Sequence, residues 1–173
     1  NGQRAAAACG YDGGAQGIPT FLGVLPELLP RFGLSYDDPA YLQRSAQVEA
    51  GFPTSPAERP WVIENVATVP EHRRKGLVRL LLGELLERGA QRAFIDAQIG
   101  AFIGNEPARR AYIDLGFEVV AEKRDASWEA AMGCPGTELL LRPCDPRRPA
   151  CARRSWVPVG EAAGSRHTSG EVG

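Results

Sequence analysis

The sequence predicts an α/β (α+β) fold, in which a mixed central β-sheet is flanked by helices. The main observation is an alternation between residues 61 and 141. Segments rich in β-branched and aromatic residues alternate there with segments whose apolar residues recur at helical spacing. This order of strand, helix, strand, helix and strand is typical of helices that cover a sheet. The second observation is the length, because 173 residues can bury a sizeable core in one domain without disulfides or metals.

The overall charge and the cysteines exclude several classes of protein. A net charge of -1 indicates neither the basic field of a nucleic-acid-binding protein nor the acidic excess of a disordered one. The four cysteines form no CxxC pair and have no histidine at metal-ligand spacing, so we expect reduced thiols and no metal site. No apolar run reaches the ~18 residues that a membrane span needs. We therefore expect a cytoplasmic monomer or homodimer without nucleic-acid or membrane partners.

The chain opens on a dipeptide that favours hairpin turns, Asn1-Gly2, and continues into an alanine-rich segment compatible with a buried strand, Arg4 to Tyr11. Because a chain that begins on a hairpin turn lacks the first strand of that hairpin, we expect the domain to be N-terminally incomplete. Residues 12–60 follow as an insertion that glycines and prolines punctuate.

Two short helices are predicted within this insertion. One lies near Thr20 to Phe32, with apolar residues at helical spacing and an interruption at Pro26. The other begins at Asp38-Pro39, a cap followed by an early proline, and extends to about Ala50. Neither helix carries recognisable chemistry, and a stripe of leucines and aromatic residues of this kind indicates packing.

The middle of the chain contains the strongest periodic signals. Trp61 to Val69 is predicted to be a strand that stops at Pro70, and residues 71–76 to be a loop. A helix with one wide apolar face follows to about Arg88, and we expect Gly89 to close it.

The remaining elements are shorter. A strand is predicted at 93–98, followed by a helix that Asn105 caps and Gly116 ends, and by strands at 117–122 and 137–141. After Pro143 the composition changes to Pro, Arg, Gly, Ser and Ala with almost no periodicity. We therefore expect the domain to comprise residues 1–143 and residues 144–173 to be a disordered tail.

The stretch from Arg73 to Arg79 leaves a strand, turns through Gly76 and immediately starts a helix. A helix start offers unpaired backbone N–H groups and the positive end of the helix dipole. Glycine lets the backbone approach a ligand closely, and Arg74, Lys75 and their neighbours add positive charge. The pattern predicts a polyanion, such as a pyrophosphate, at the helix start. The alternative is a solvated basic turn.

Two segments carry a resemblance to a known family. The segment Val66 to Leu77 resembles the pyrophosphate motif of GNAT (GCN5-related) N-acetyltransferases, in which Arg or Gln, two residues, Gly, one residue, and Gly or Ala follow a strand ending in Pro-Glu. Asn105 to Phe117 looks like the family's second signature, an Asn, a helix with Ala and Tyr, and then Leu-Gly-Phe. One position departs from the first motif, because Val78 stands where Gly or Ala is usual, and its side chain could crowd the pyrophosphate.

The resemblance implies the acyl-CoA N-acyltransferase fold and acetyl-CoA as the cosubstrate, with no metal. It implies that the backbone of Val66, Ala67 and Thr68 binds the pantetheine arm like an added strand. Asn105 would contact the pantetheine region or the substrate, although it could be a plain helix N-cap or serve both roles. The residues expected to hold the pyrophosphate are Arg73, Arg74, Lys75, Gly76, Leu77, Val78 and Arg79.

The resemblance also implies transfer of the acetyl group to a primary amine by direct attack. Tyr112 takes the position of the general acid, seven residues beyond Asn105 and so about two turns along the same helix face. A phenol with a pKa near 10 is well matched to protonating a leaving thiolate. Its alternative role is a core tyrosine. Glu64 is the candidate base, and it could equally be an outward residue paired with an arginine. No covalent intermediate is expected, because no cysteine lies near the two signatures in the sequence.

The acceptor is the least determined part. By analogy with the family, the insertion would lie on the acceptor side of the cleft, and we favour a small-molecule amine over a protein. Two other readings remain open, namely a non-catalytic acyl-CoA-binding module and an inactive truncated fragment. The aromatic residues that could build a wall or lid over the acceptor are Phe21, Phe32, Tyr36, Tyr41 and Phe52.

Overall fold

The computed structural model of the chain describes residues 4–15, 23, 25–33, 35, 38, 39, 51–145 and 147. Within these residues the fold is a mixed five-stranded sheet flanked by helices, which confirms the predicted fold class. In spatial order the strands are β1-β2-β3-β5-β4. They are β1 (Ala6–Asp12), β2 (Trp61–Thr68), β3 (Asp96–Phe102), β4 (Glu118–Arg124) and β5 (Gly136–Pro143).

The helices whose two ends both lie in the described residues are α1 (Leu77–Gln91), α2 (Glu106–Ile113) and α3 (Ala126–Met132), and 3-10 turns occur at Leu29–Phe32 and Pro70–His72. α3 was not predicted from the sequence. This helix has only seven residues, too few to show a helical period, and its signal is in its ends. The Asp125 side chain accepts the amides of Ser127 and Trp128, and a left-handed Gly133 follows the last turn.

The strand pairings explain where the sheet opens. β1 and β2 are antiparallel, β2 and β3 are parallel across the α1 crossover, and β5 is antiparallel to both β3 and β4. The parallel pair is short, because only residues 61–63 of β2 and 97–99 of β3 are in register. Beyond this point the two strands no longer pair, which leaves a gap in the middle of the sheet.

The two faces of the sheet have different coverings. On one face α1 and α2 build the main core, in which Leu82 and Tyr112 pack with Ile63 of β2. On the opposite face Phe52 forms an aromatic cluster with the rings of Phe102 and Trp128, with centroids 5.9–6.4 Å apart. Phe52, predicted to wall the acceptor, is thus packed on the sheet next to β3. The side chains of the other four predicted wall residues lie outside the described part of the chain.

The prediction that Gly89 closes α1 is wrong, because the helix continues to Gln91. Gly89 is an interior residue that lets the helix approach Trp61. The end of the helix is instead made by Ala93, at φ 61°, and the Phe94 amide donates to the Gly89 carbonyl at 3.0 Å. Because Ala93 belongs to this helix end, the next strand starts at Asp96 and not at residue 93 as predicted.

The other boundaries differ less. β4 and β5 end two residues later than predicted. Residues 25–28, which include Pro26, are helical, so this proline does not interrupt the helix there. Most of the helix predicted to reach Ala50 lies outside the described residues, as does nearly all of the predicted tail. Cys144 is buried and its amide donates to the Ile95 carbonyl, so packing extends past residue 143.

No described helix is both long and apolar enough to cross a membrane.

Two glycines of α1 provide a matched test of this packing. A Cβ on Gly89 would lie 2.9 Å from the Trp61 ring and 3.1 Å from the Cys144 sulfur, whereas a Cβ on Gly83 would have nothing within 4 Å. Gly89→Ala is expected to lower the free energy of unfolding by about 1–2 kcal/mol, because overpacking outweighs the better helix propensity of alanine. Gly83→Ala is expected to raise it by about 0.5–1 kcal/mol. Urea denaturation measures both, and equal stabilisation by the two changes would contradict the close approach.

Candidate functional site

The opening in the sheet coincides with a β-bulge in β2. Ala7 pairs with Ala67 and Cys9 with Glu64, so Asn65 and Val66 together face the single residue between Ala7 and Cys9. Asn65 adopts the left-handed conformation that this bulge needs, with φ 55°. Since pairing with β3 stops at Ile63, two residues before Asn65, the second half of β2 turns a free edge toward the gap. A free strand edge can pair with an extended ligand that carries amide groups.

The three residues predicted to bind pantetheine, Val66, Ala67 and Thr68, all lie on this free segment. Val66 packs against the core and Ala67 is exposed. The Thr68 carbonyl accepts from the Arg73 guanidinium at 3.4 Å, and its hydroxyl oxygen is buried without a partner among the described residues. Arg73 therefore closes the loop back onto the end of β2.

The start of α1 is open. Gly76 occupies the N-cap position at φ 75°, offers no capping side chain, and no acidic residue follows in the first turn. Arg74 is also left-handed, at φ 61°. In the described part of the chain, the amides of residues 74–79 donate to no backbone carbonyl, and the first helical bond runs from Leu80 to Gly76. Left-handed residues beside a helix start form an anion-binding concavity.

The loop and the first turn of α1 carry the four basic residues that were predicted to bind the pyrophosphate. Arg73, Arg74, Lys75 and Arg79 are exposed, and none forms an ion pair with a described carboxylate. The Lys75 ammonium lies 3.5 Å from Nδ1 of His72. Two shallow concave surfaces flank the loop. One, of about 440 Å³, begins at Gly76 and Arg79 and follows the exposed side of α1, and the other, of about 450 Å³, lies beside Glu71 and His72.

Leu77 and Val78 contribute their amides to the opening while their side chains are half-buried. The Val78 side chain packs against the core cluster. The departure from the family motif at this position therefore does not fill the space in front of the amides, because the larger side chain points into the core.

The second signature is explained by the two ends of α2. Asn105 is the N-cap, and its side-chain oxygen accepts the Ala108 amide at 3.4 Å. At the other end, Gly116 at φ 85° follows the helix, with the Phe117 amide bonded to the Tyr112 carbonyl and the Gly116 amide to that of Ile113. This is a Schellman motif, in which the residue after the glycine contacts the residue that accepts its amide. The Tyr112 and Phe117 rings are accordingly 6.3 Å apart, so Leu-Gly-Phe fixes Tyr112.

Tyr112 is buried in the core, with 5% of its surface exposed. Burial raises the pKa of its phenol above the ordinary value. The described residues provide no hydrogen-bond partner for its hydroxyl. The position fits both roles left open by the sequence, a core tyrosine and a neutral proton donor.

Glu64 lies on the other face of the sheet. Its neighbour Ile63 is fully buried against α1, so the Glu64 side chain points away from the helices, and it is exposed. No described arginine forms an ion pair with it, in contrast to the alternative that the sequence left open. The Tyr11 hydroxyl lies beside its carboxylate, and burial together with this carboxylate raises the pKa of Tyr11.

Sequence reasoning missed two residues of β1 at this site. Cys9 is the register partner of Glu64 and accepts a hydrogen bond from the Asn65 side chain at 3.4 Å. Cys9 is distant from the first signature in the sequence but lies beside the residues that precede it in space, because strand pairing joins residues 55 positions apart. Tyr11 was missed for the same reason. Only the register of β1 on β2 could have revealed them, and the bulge makes that register unreadable from the sequence.

Among the described residues, no group of three or more His, Cys, Asp or Glu side chains could hold a metal ion.

Residues 40–117 match the model of the acetyltransferase (GNAT) family. This range includes the loop at the start of α1 and the whole of α2. No curated protein is similar enough to the chain to count as a match.

Solved structures of acetyltransferases are also similar. A nourseothricin acetyltransferase is 27% identical over 49% of this chain and 49% of its own, with a TM-score of 0.43, so this chain spans about half of its length. A protein named SsHAT is 20% identical over 83% of this chain and 68% of its own, with a TM-score of 0.52. Another acetyltransferase is 15% identical over 82% and 65%, with a TM-score of 0.51. At such identities the last two establish the fold.

Proposed function

The chain contains a domain of the GNAT acetyltransferase family at residues 40–117, and on this premise we propose that it transfers the acetyl group of acetyl-CoA to a primary amine. The observation that carries the proposal is the open, uncapped start of α1, which lies next to the free edge of β2. The start of α1 offers hydrogen-bond donors for a pyrophosphate, and the free edge of β2 can pair with an extended chain that carries amide groups. A single loop connects the two features.

The residues at the opening fit coenzyme A. Its pyrophosphate would be held by the amides of residues 74–79 and by the side chains of Arg74, Lys75 and Arg79, which no described carboxylate neutralises. The amide groups of its pantetheine arm would pair with the edge of residues 66–68. Asn105 keeps its side-chain N–H groups for the ligand while its oxygen caps α2. Acetyl-CoA supplies an activated thioester at the end of that arm.

Two side chains have the chemistry for proton transfer. Glu64 would take the proton from the acceptor's ammonium, directly or through water, so that the free amine attacks the acetyl carbonyl. Tyr112 would donate its phenolic proton to the departing thiolate of coenzyme A. Their placement on opposite faces of the sheet is consistent with an attack from one side and a departure on the other, because the gap between β2 and β3 connects the faces.

A non-catalytic acyl-CoA-binding module is the second candidate. The burial of Tyr112 favours it, because a phenol that only packs in the core would donate no proton. For the enzyme we favour a small-molecule acceptor over a protein, and polyamines, amino acids and aminoglycosides are the first classes to test.

The enzyme and the binding module are separated by two measurements on the purified chain. Titration calorimetry with acetyl-CoA is expected to show binding in the micromolar range typical of cosubstrates. Release of the free thiol of coenzyme A, followed with a panel of the three amine classes and a peptide library, is expected to depend on at least one amine. Binding without amine-dependent release would support the non-catalytic module. The absence of acetyl-CoA binding would exclude both the enzyme and the module. Acetylation of peptides alone would replace the small-molecule acceptor by a protein.

A further inference from the structure

The face of the sheet opposite α1 and α2 carries three polar side chains on three adjacent strands. Tyr11 of β1 and Gln98 of β3 are both register partners of Val62 in β2, so they stand on either side of it in one row. Glu64 is two residues beyond Val62 and therefore points to the same side. It is thus the diagonal neighbour of both, at a separation on the order of 7–8 Å that long side chains can bridge.

Gln98 has an unexplained feature. The residue is half-buried, and its side-chain oxygen Oε1 is fully buried with no hydrogen-bond donor in the part of the chain described here. Buried carbonyl oxygens are almost always paired, so an orphaned one indicates a missing donor such as a ligand N–H or a water.

The two groups next to Gln98, the Glu64 carboxylate and the Tyr11 hydroxyl, have no positively charged partner among the described residues. The Glu64 carboxylate has no ion-pair partner among the described residues. The pKa of the Tyr11 hydroxyl is raised by burial and by this carboxylate, so the group stays protonated, and its oxygen can still accept a hydrogen bond. Three side chains with acceptor oxygens therefore occupy neighbouring register positions on this face, and they carry a single formal negative charge.

The surroundings are apolar. Buried Val62 forms the floor between Tyr11 and Gln98. Gly100 of β3 lies two residues beyond Gln98 on the same face. The Phe52 ring fills the space that a side chain at Gly100 would need, because one of its carbons lies 2.7 Å from the position of an ideal Cβ. The Phe52 ring thus adds apolar surface on the β3 side of this face. Three oxygens, an apolar floor and an aromatic wall match an ammonium group with three N–H donors.

We propose that Tyr11, Glu64 and Gln98 bind the ammonium group of the acceptor, so that the acceptor is a primary amine that enters as a cation from the face opposite α1 and α2. The inference rests on the proposed function and adds the residues that select the acceptor. Gln98 and Tyr11 hold the ammonium against Glu64 and do not take its proton. A secondary ammonium group has two N–H donors, so it leaves one of the three oxygens unpaired and is a poorer acceptor.

The test compares Gln98→Leu, Gln98→Glu and Tyr11→Phe with a matched control, Gln91→Leu. Gln91 is an exposed residue of α1 whose side chain bonds Glu87 and no other described residue. Steady-state kinetics use the fastest amine of the panel and acetyl-CoA. Gln98→Leu is expected to lower kcat/KM for the amine roughly 10- to 50-fold, mainly through KM, because it removes a hydrogen bond to a charged group. Gln98→Glu retains an acceptor oxygen and is expected to lose less than Gln98→Leu. The KM for acetyl-CoA is expected to stay unchanged in all variants.

The outcomes separate this inference from the function on which it rests. If the wild-type chain binds acetyl-CoA and acetylates no amine, the proposed function fails and this inference with it. If the wild-type chain is active and the amine KM of Gln98→Leu stays within twofold of the control, the inference alone is overturned, and the orphaned oxygen belongs to a buried water. A thermal melt identifies any variant that does not fold. If Gln98→Leu does not fold, an unchanged KM for the amine in both Gln98→Glu and Tyr11→Phe also overturns the inference.

Discussion

Tyr112→Phe is expected to lower kcat for acetyl transfer by roughly 100- to 10,000-fold, the range that a positioned general acid contributes. The change removes one hydroxyl and keeps the ring. The contact with Phe117 and the Schellman end of α2 therefore stay in place. The affinity for acetyl-CoA is expected to remain within a factor of about three, because Tyr112 contributes none of the donors of the cationic loop. Stopped-assay kinetics and calorimetry on the same preparation measure both quantities.

A matched variant separates chemistry from packing. Phe117→Leu disturbs the same contact from the other side and is expected to destabilise the chain while kcat falls less than in Tyr112→Phe. A Tyr112→Phe protein with full kcat would assign Tyr112 to the core alone. It would leave the chain without an identified proton donor.

The pH dependence of kcat follows from the direction of the Tyr112 pKa shift. The acid form is the protonated phenol, which exists below its pKa, and burial raises that pKa above the ordinary value near 10. No alkaline loss of kcat is therefore expected from this group up to about pH 10. An alkaline limb near pH 9 that disappears in Tyr112→Phe would place the phenol in a more polar environment than the structure shows.

The parts of the site that could be predicted from the sequence are those made by local interactions. The capping of α2 by Asn105, the left-handed Gly116 and the glycine before α1 each involve residues within one turn of each other, and all three are found where the sequence predicts them. The backbone conformation at these positions requires particular residue types, so the same amino acids recur wherever that conformation occurs. For this reason the signatures located the loop and α2 but gave no information on what lies opposite them.

The parts that could not be predicted depend on strand register. Asn65 in a predicted strand gives no sign that it bulges, yet the bulge sets which β1 residues meet Glu64. A shift by one residue would have turned Tyr11 and Cys9 to the other face. Gly89 shows the same limit in α1. A glycine near the end of a helical pattern indicates a cap, and only the packing of Trp61 against it reveals that it is an interior contact.

Arg74→Glu is expected to weaken the binding of acetyl-CoA roughly 100-fold, because it exchanges a charge-assisted hydrogen bond for a repulsive carboxylate at an uncapped helix start. The four cations of this loop form no described ion pair, so a bound pyrophosphate would be their first counter-charge. Calorimetry at two salt concentrations measures the effect. The affinity of the wild-type chain is expected to fall more steeply with salt than that of the variant, since exposed charges are screened.

Arg31→Glu makes the same change of charge on an exposed arginine of the first 3-10 turn, outside the loop, and is expected to leave the affinity unchanged. A second ligand isolates the contact further. Pantetheine lacks the pyrophosphate, so Arg74→Glu is expected to bind it as well as the wild-type chain does. Equal weakening for both ligands would mean that the variant damages the edge of β2, through the Arg73 contact to Thr68, and not the phosphate site. An unchanged affinity for acetyl-CoA would show that the amides of residues 74–79 hold the diphosphate without Arg74, or that no diphosphate binds there.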